Sequence, residues 1–243
     1  MCVHLLLYYL DIKGIAILEK VITGKGAMYM VQNSRYKGND RAKVIVIGIG
    51  ECGGNIVNGM ADENAGHADY FIVDTDRDAL SRYKAADSLL IGNDLLNGHG
   101  ADGVPDKGQK AAEAGSRNIS DDINGYDLAV IVCGMGGGTG TGAAPVIARM
   151  VREVGIPSVG VVARPLTFEG RVRMANAASG IQKLKEYTDT VIGFSNDAVL
   201  GLVDRQTSVA ATFEKADGFI RKAILDIIDI VNMPTLNLTQ VTE

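Results

Sequence analysis

The chain has 243 residues, 47% of them hydrophobic, with a formal net charge of −5 at pH 7, which suits one large α/β domain and is short for two. The acidic balance, with no basic stripe, argues against nucleic acid or an anionic membrane surface as a partner. Three cysteines and three histidines are too few and too scattered for a disulfide framework or a metal site, so we expect a cytoplasmic protein whose own residues hold no metal.

Residues 1–42 differ in character from the remainder of the chain. Residues 3–10 are apolar but too few to span a bilayer, and no small-residue cleavage site follows them. Met28 and Met30 could each be a start residue. We therefore expect residues 1–42 to be a loosely ordered N-terminal extension or an over-extended start, with no direct membrane anchor.

Short apolar strands alternate with helical patterns from Lys43 onward. Strands are predicted at residues 43–47, 70–73, 88–91, 127–132, 157–163 and 189–194. Helices are predicted at about 54–63, 78–84, 106–120, 142–154 and 169–187. The alternation predicts an α/β fold, a doubly wound parallel sheet covered on both faces. In such sheets ligands bind beyond the carboxyl ends of the strands.

The first strand runs into a glycine loop. Gly48, Gly50 and Gly53 match G-x-G-x-x-G, and Asp74 ends the next strand. This is the dinucleotide-binding fingerprint, with Asp74 as the ribose acceptor, and taken alone it favours a Rossmann dinucleotide-dependent oxidoreductase. No G-x-x-x-x-G-K-[ST] occurs, so the chain is not a P-loop protein.

The fourth strand runs into a second and richer glycine loop. Residues 134–142 read GMGGGTGTG, with a buried apolar run before them and a helical pattern after them. Glycine lets the backbone approach a phosphate closely, and a helix N-terminus adds free N–H groups and partial positive charge. A flexible linker would lack the flanking strand and helix. The segment predicts a phosphate-binding loop, and two such loops facing each other favour a triphosphate.

A long helix is predicted from about residue 209 to residue 231. Its apolar stripe consists of Phe213, Ala216, Ile220, Ala223, Ile224, Ile227 and Val231. Phe213 and Asp217 are four residues apart and share one helical face. A carboxylate there can accept from both the ring N–H and the exocyclic amine of guanine. Adenine offers no such pair, and a site built on paired hydrogen bonds rejects the analogue that lacks them.

The segment GGGTGTG at residues 136–142 resembles the signature of the tubulin and FtsZ GTPases, and the likeness runs from about Lys43 to Asn237. It implies a divergent, archaeal-like GTP-binding domain at residues 43–231 that ends in a long central helix. The second domain of FtsZ is expected to be absent, and residues 232–243 to be a remnant of an inter-subunit loop. The implied ligand is GTP or GDP, with Mg²⁺ bound through the phosphates.

The resemblance also implies roles for individual residues. Glu169 would accept from the ribose hydroxyls, Arg173 would lie over the sugar and base, and Asn196 would touch guanine. Phe213 would pack against the base, whose Watson–Crick edge Asp217 would read. The full set of implied nucleotide contacts is Gly50, Glu51, Cys52, Gly53, Asn55, Asp74, Asp76, Gly100, Ala101, Asp102, Gly136, Gly137, Gly138, Thr139, Gly140, Thr141, Gly142, Glu169, Arg173, Asn196, Phe213 and Asp217.

Several residues depart from the FtsZ pattern near the expected phosphates. Glu51 and Cys52 replace small residues in the first loop, and Asp102 replaces a glycine beside the γ-phosphate. Asp74 stands where the family has an asparagine. Added anionic charge should lower nucleotide affinity unless Mg²⁺ or a rotated side chain offsets it.

The end of the chain also departs from FtsZ. In FtsZ an Asn-Leu-Asp-x-x-Asp loop completes the active site of the next subunit in a filament, whereas Thr239 and Thr242 occupy the aspartate positions here. We expect a GTP-binding protein of the cell-division cytoskeleton with weak or absent hydrolysis. Its expected partner is itself or a full-length FtsZ-like protein, head to tail. A non-catalytic regulator or cap of FtsZ filaments and a Rossmann oxidoreductase remain alternatives.

Overall fold

The computed structural model describes residues 41–200 and 208–232. The predictions for the N-terminal extension before residue 41 and for Thr239 and Thr242 lie outside the described residues. Most of the described chain belongs to one compact unit, Ala42–Ile230. None of the helices within the two described ranges is both long and apolar enough to cross a bilayer.

Six parallel strands form the sheet of this unit. They are β1 (Val44–Ile49), β2 (Asp69–Asp74), β3 (Asp87–Leu90), β4 (Leu128–Gly134), β5 (Ser158–Arg164) and β6 (Thr190–Ser195). Their spatial order is β3-β2-β1-β4-β5-β6, with every pairing parallel. The doubly wound α/β fold and all six predicted strands are confirmed. Strand order reverses between β1 and β4, where such sheets open a ligand crevice.

Helices connect the strands. They are α1 (Gly50–Asp62), α2 (Arg77–Arg82), α3 (Asn93–Leu96), α4 (Pro105–Ala114), α5 (Ser116–Asp122), α6 (Thr139–Glu153), α7 (Arg171–Tyr187), α8 (Asn196–Leu200) and α9 (Val209–Asn232), with a 3₁₀ turn at Thr167–Glu169. The helix predicted at 106–120 is in fact two helices, because the chain breaks at Gly115.

Two helices begin inside the glycine loops and earlier than predicted. α1 begins at Gly50 instead of about residue 54, and α6 begins at Thr139 instead of residue 142. The glycines that lower helix propensity are needed here for contact with the sheet. A Cβ on Gly53 would lie 2.3 Å from the Val132 carbonyl oxygen, so only a glycine lets α1 approach β4 this closely.

The core lies against the central strands. All six residues of β1 are buried, as expected for a parallel strand covered on both faces. On α6, Val146, Ile147, Met150 and Val151 are buried, but Val154 is 44% exposed because it caps the end of the helix. On α9 the predicted stripe buries Ala216, Ile220, Ile224 and Ile227, and Ile228 is buried as well.

Candidate functional site

The two glycine loops meet where the strand order reverses. Gly50 has a φ of 72°, and a Cβ on it would lie 3.1 Å from the amide nitrogen of Gly140 and 3.3 Å from the Cβ of Thr139. No side chain caps the N-terminus of α1 or of α6. The free N–H groups of two helices therefore point into one crevice, an arrangement suited to a bound anion.

The second glycine loop is packed on one side and open on the other. A Cβ on Gly142 would lie 1.9 Å from the Pro105 carbonyl oxygen, and one on Gly138 would lie 2.7 Å from the Cβ of Ala101. A Cβ on Gly136 would lie 2.9 Å from the Arg173 carbonyl oxygen. A Cβ on Gly137 would meet nothing within 4 Å. Gly137 therefore marks the side of the loop that a ligand could occupy.

Threonine hydroxyls hold this loop in shape. The buried Thr141 hydroxyl accepts from the Gly136 amide at 2.8 Å, a bond that fixes the conformation of the loop. The Thr139 hydroxyl lies 2.7 Å from that of Thr75, just after β2. Thr75 is absent from the predicted contact set, although it stands between two acidic residues that are in the set.

Asp74 ends β2 as a buried carboxyl group, only 2% exposed. Its Oδ1 accepts from the amides of Thr75 at 2.7 Å and Asp76 at 3.3 Å. Its buried Oδ2 has no hydrogen-bond partner within the part of the chain that the structure describes. Burial raises the pKa of Asp74 to about 6, and the charges of Asp76 and Glu51 act in the same direction.

Asp76 is used by the fold itself. Its Oδ1 accepts from the amides of Asp78 at 2.8 Å and Ala79 at 3.0 Å, so it is the N-cap of α2. Gly100, another of the predicted nucleotide contacts, donates its amide to the Thr75 carbonyl oxygen at 3.1 Å. This hydrogen bond therefore joins the turn after β2 to the loop before α4.

Two of the acidic substitutions are paired with cations that the sequence analysis missed. Arg82 Nη2 lies 2.9 Å from Glu51 Oε1, and Lys107 Nζ lies 2.6 Å from Asp102 Oδ2. The Lys107 ammonium lowers the pKa of Asp102. Lys107 could have been found from its position in the first turn of the helix after Asp102. Arg82 lies too far along the chain for spacing to reveal it.

Cys52 and Asn55 follow on α1. Burial and the charges of Asp217, Glu169 and Glu51 raise the pKa of the half-buried Cys52 thiol to about 12. The thiol is therefore neutral at pH 7. The Asn55 Oδ1 lies 3.1 Å from the Tyr83 hydroxyl.

The segment predicted to contact ribose is held by its own hydrogen bonds. Glu169 Oε1 accepts from the Leu166 amide at 2.7 Å, and its Oε2 accepts from Arg173. Asp197 accepts from the amide and the hydroxyl of Thr167 at 3.0 and 2.7 Å, which ties the 3₁₀ turn to the end of β6.

The residues predicted to contact the base lie on α8 and α9. Asn196 begins α8, and its buried Oδ1 has no hydrogen-bond partner among the described residues. Phe213 is 38% exposed, so its ring is available to a ligand. Burial raises the pKa of Asp217 to about 6, while Arg221 acts to lower it. Arg221 also pairs with Glu63 at 3.1 Å, which anchors α9 to the end of α1.

Mg²⁺ is the metal ion that the sequence analysis expects at this site. Across the described ranges, no group of three or more His, Cys, Asp or Glu side chains could hold a metal ion. Mg²⁺ is commonly bound through one or two carboxylates plus substrate phosphates. The binding of Mg²⁺ through the phosphates, which the sequence analysis expects, stays a prediction.

Comparisons with known proteins show which family and which solved structures this chain resembles. A family model described as Tubulin/FtsZ family, GTPase domain, matches residues 43–204. An empty FtsZ dimer from M. jannaschii is 32% identical, with a TM-score of 0.77 over 90% of this chain and 63% of that chain. A GDP-bound CetZ1 monomer from Haloferax volcanii is 25% identical, with a TM-score of 0.69 over 82% of this chain and 63% of that one. A GTPγS-bound CetZ2 protofilament from the same organism, 23% identical with a TM-score of 0.72 over 82% and 61%, is alike in fold alone. The chain spans less than two thirds of the length of these relatives.

Proposed function

Because the chain belongs to the tubulin/FtsZ family, we propose that it binds GTP and GDP in the crevice between its two glycine loops and α9. The observation that carries this proposal is the contact of Gly50 with Gly140 and Thr139. It puts two uncapped helix N-termini side by side, and each favours a phosphate group. A dinucleotide fingerprint needs only the first of these loops.

Guanine selectivity is assigned to Asp217, supported by Phe213. Both lie on α9, four residues apart, and the charge of Asp217 acts on the pKa of Cys52 in the first glycine loop. The partly exposed Phe213 ring can pack on a base, while a carboxylate can accept from the two adjacent N–H groups of guanine. Asn196, at the start of α8, is proposed to touch guanine, as the resemblance implies.

Hydrolysis is proposed to be weak. Transfer of a phosphoryl group to water needs the attacking water to be positioned and polarised. In the FtsZ arrangement two aspartates from the neighbouring subunit do this, and the matching positions here are Thr239 and Thr242. A threonine hydroxyl is neutral and cannot act as a base near pH 7.

A cytoplasmic role in the cell-division cytoskeleton follows as a proposal from the same family. The M. jannaschii relative is a dimer and the CetZ2 relative is a protofilament. Head-to-tail association of this chain with itself or with a full-length FtsZ-like protein is the corresponding assembly. The two threonines favour a second candidate role, a non-catalytic cap or regulator of such filaments.

Competition against a fluorescent GDP analogue tests the nucleotide assignment. GTP and GDP are expected to displace the analogue, and ATP and NADH are not. Asp217→Ala should cost about 1–3 kcal/mol of GDP binding. Asp226→Ala is the matched control, because Asp226 lies on the same helix and, among the described residues, pairs only with Lys222. Equal competition by ATP would refute the base assignment, and displacement by NADH would favour the oxidoreductase.

Phosphate release measured over a range of protein concentrations tests the hydrolysis proposal. Slow release that does not accelerate with concentration is expected, whether or not the chain associates. A rate that rises steeply to about 0.1 per second or more would contradict weak hydrolysis. Sedimentation of the chain with GTP, alone and with a full-length FtsZ-like protein, separates self-assembly from capping.

A further inference from the structure

We propose that binding of the nucleotide is coupled to uptake of one proton by Asp74, so that affinity rises as the pH falls. The inference rests on the proposed function, because the negative charge that drives the uptake is that of the bound phosphates. The proton comes from solvent and resides on the Asp74 carboxyl group. No contact between Asp74 and the nucleotide is needed, since the effect acts through charge.

The first glycine loop, the turn at residues 74–76 and the loop before α4 carry four carboxylates, and three of them are compensated. Glu51 pairs with Arg82 and Asp102 pairs with Lys107. Asp76 accepts from two amides at the N-terminus of α2. Asp74 receives two amide bonds on Oδ1, but its Oδ2 has no partner in the described part of the chain. Its charge is the least stabilised of the four.

Asp74 is close to the place where phosphate would bind. It precedes Thr75, whose hydroxyl lies 2.7 Å from that of Thr139 at the start of α6. The charge of Glu51, in the first turn of α1, acts on the pKa of Asp74. A negative charge in the crevice, next to the N-termini of α1 and α6, would therefore act on the Asp74 carboxylate.

The groups facing Asp74 leave protonation as the way to remove its charge. Glu51 on α1 and Asp76 in the same turn are anionic and raise its pKa. After α2, Tyr83 stays neutral because burial and the Asp74 charge both raise its pKa. Arg82 forms an ion pair with Glu51. Just after β3, the Ile91 amide donates to the Asp74 backbone oxygen, and His99 is paired with Asp76 in an isolated β-bridge.

The direction of the coupling follows from these charges. In the free protein the pKa of Asp74 is about 6, so the group is mostly ionised at neutral pH. Bound phosphate disfavours the ionised form and raises the pKa further. Between the free and bound pKa values binding takes up a proton, and affinity changes by at most about tenfold per pH unit.

Calorimetric titration of the full chain with GDP tests the coupling, in buffer without Mg²⁺, because a bound cation would offset the phosphate charge. Titrations near about pH 7 in two buffers of different ionisation enthalpy give the number of protons taken up. The wild type should take up more protons than Asp74→Asn, a neutral isostere. Its GDP affinity should fall relative to that variant by roughly tenfold from about pH 6 to about pH 8. Titration of the nucleotide is common to both proteins and cancels in the difference. Asp69→Asn, at the opposite end of β2, should match the wild type.

The outcomes separate this proposal from the proposed function. Equal proton uptake by wild type and Asp74→Asn, with both binding GDP, overturns the coupling alone. Failure of the wild type to bind GDP at any pH overturns the proposed function, and the coupling with it. If Asp74→Asn does not fold, infrared difference spectra of the aspartate-labelled wild type decide. A new protonated-carboxyl band on adding GDP is expected, and its absence refutes the proposal.

Discussion

The hydroxyl groups of Thr75 and Thr139 lie 2.7 Å apart, across the gap between the turn after β2 and the start of α6. Thr75 is fully buried, and its carbonyl oxygen accepts from the Gly100 amide at 3.1 Å. One residue thus joins the segment after β2, the loop before α4 and the second glycine loop. This contact gives the crevice its shape before any ligand binds, which lowers the ordering cost of binding.

Thr75→Val should weaken GDP binding several-fold. Valine keeps the shape of threonine but leaves the Thr139 hydroxyl without its partner, at a cost of about 1 kcal/mol in stability. Urea unfolding and GDP titration measure the two effects. Thr188→Val is the control, because within the part of the chain that the structure describes the Thr188 hydroxyl bonds only to the Leu184 carbonyl oxygen, in the last turn of α7. It should lose similar stability at unchanged GDP affinity, and equal affinities for all three proteins would contradict the role of Thr75.

Alanine at two glycines of the same loop should have opposite effects on folding and binding. A Cβ on Gly142 would lie 1.9 Å from a backbone oxygen. Gly142→Ala should therefore lower the free energy of unfolding by about 4–5 kcal/mol, which is large for a single substitution, or prevent folding. Gly137→Ala meets no atom within 4 Å. It should fold normally and bind GDP more weakly, because its methyl group would occupy the space for phosphate. Normal GDP affinity of Gly137→Ala would show that the phosphates lie elsewhere.

The Glu51–Arg82 pair should matter for binding and hardly at all for stability. Both side chains are largely exposed, and such pairs contribute about 0–1 kcal/mol to folding. Arg82→Gln would leave the Glu51 charge uncompensated near the phosphates and should lower GDP affinity, most clearly at low salt. The double variant Glu51→Gln, Arg82→Gln should recover it. If Arg82→Gln binds GDP as the wild type does at low salt, the pairing has no role in the site.

The sheet could be predicted from sequence because its central strands, β1 and β4, are continuous apolar runs. Val44–Ile49 and Leu128–Gly134 are too short and too rich in β-branched residues for helices, and the glycine segments after them mark their ends. The starts of α1 and α6 could not be predicted in this way. Glycine disfavours a helix by its local propensity, and the contact with the sheet that requires glycine at Gly53 or Gly140 exists only in three dimensions.

The candidate site, like the fold, could be predicted from the sequence only in part. The glycine loops and the Phe213 and Asp217 pair follow from local spacing and from the resemblance. The pairing of Glu51 with Arg82 and the contact of Thr75 with Thr139 join elements distant in sequence, so no local pattern reveals them. The assignment of the individual nucleotide contacts stays a prediction, which the variants above are chosen to test.

The ligand-free protein should lose stability as the pH rises through the range in which Asp74 ionises. Its pKa is raised from 3.8 to about 6 in the folded state. A carboxyl group whose folded pKa is raised contributes stability that is full below the unfolded pKa and lost as pH rises through the folded value. Asp217 has the same sign, since burial raises its pKa to about 6 as well, although its partial exposure makes its share smaller. Asp102 and Asp197 have lowered pKa values and act in the opposite direction, but both are too exposed to outweigh the buried groups.

Asp74→Asn should therefore stabilise the free protein above about pH 7, by on the order of 1–3 kcal/mol, and should have little effect near about pH 4. The asparagine Oδ1 can still accept from the Thr75 and Asp76 amides, so the turn is kept while the buried charge is removed. Urea unfolding of both proteins across this pH range measures the difference. Asp69→Asn, whose carboxylate accepts from the Tyr126 hydroxyl at the exposed end of β2, controls for the loss of a charge from the same strand. An Asp74→Asn stability curve parallel to that of the wild type would show that Asp74 does not titrate between these limits.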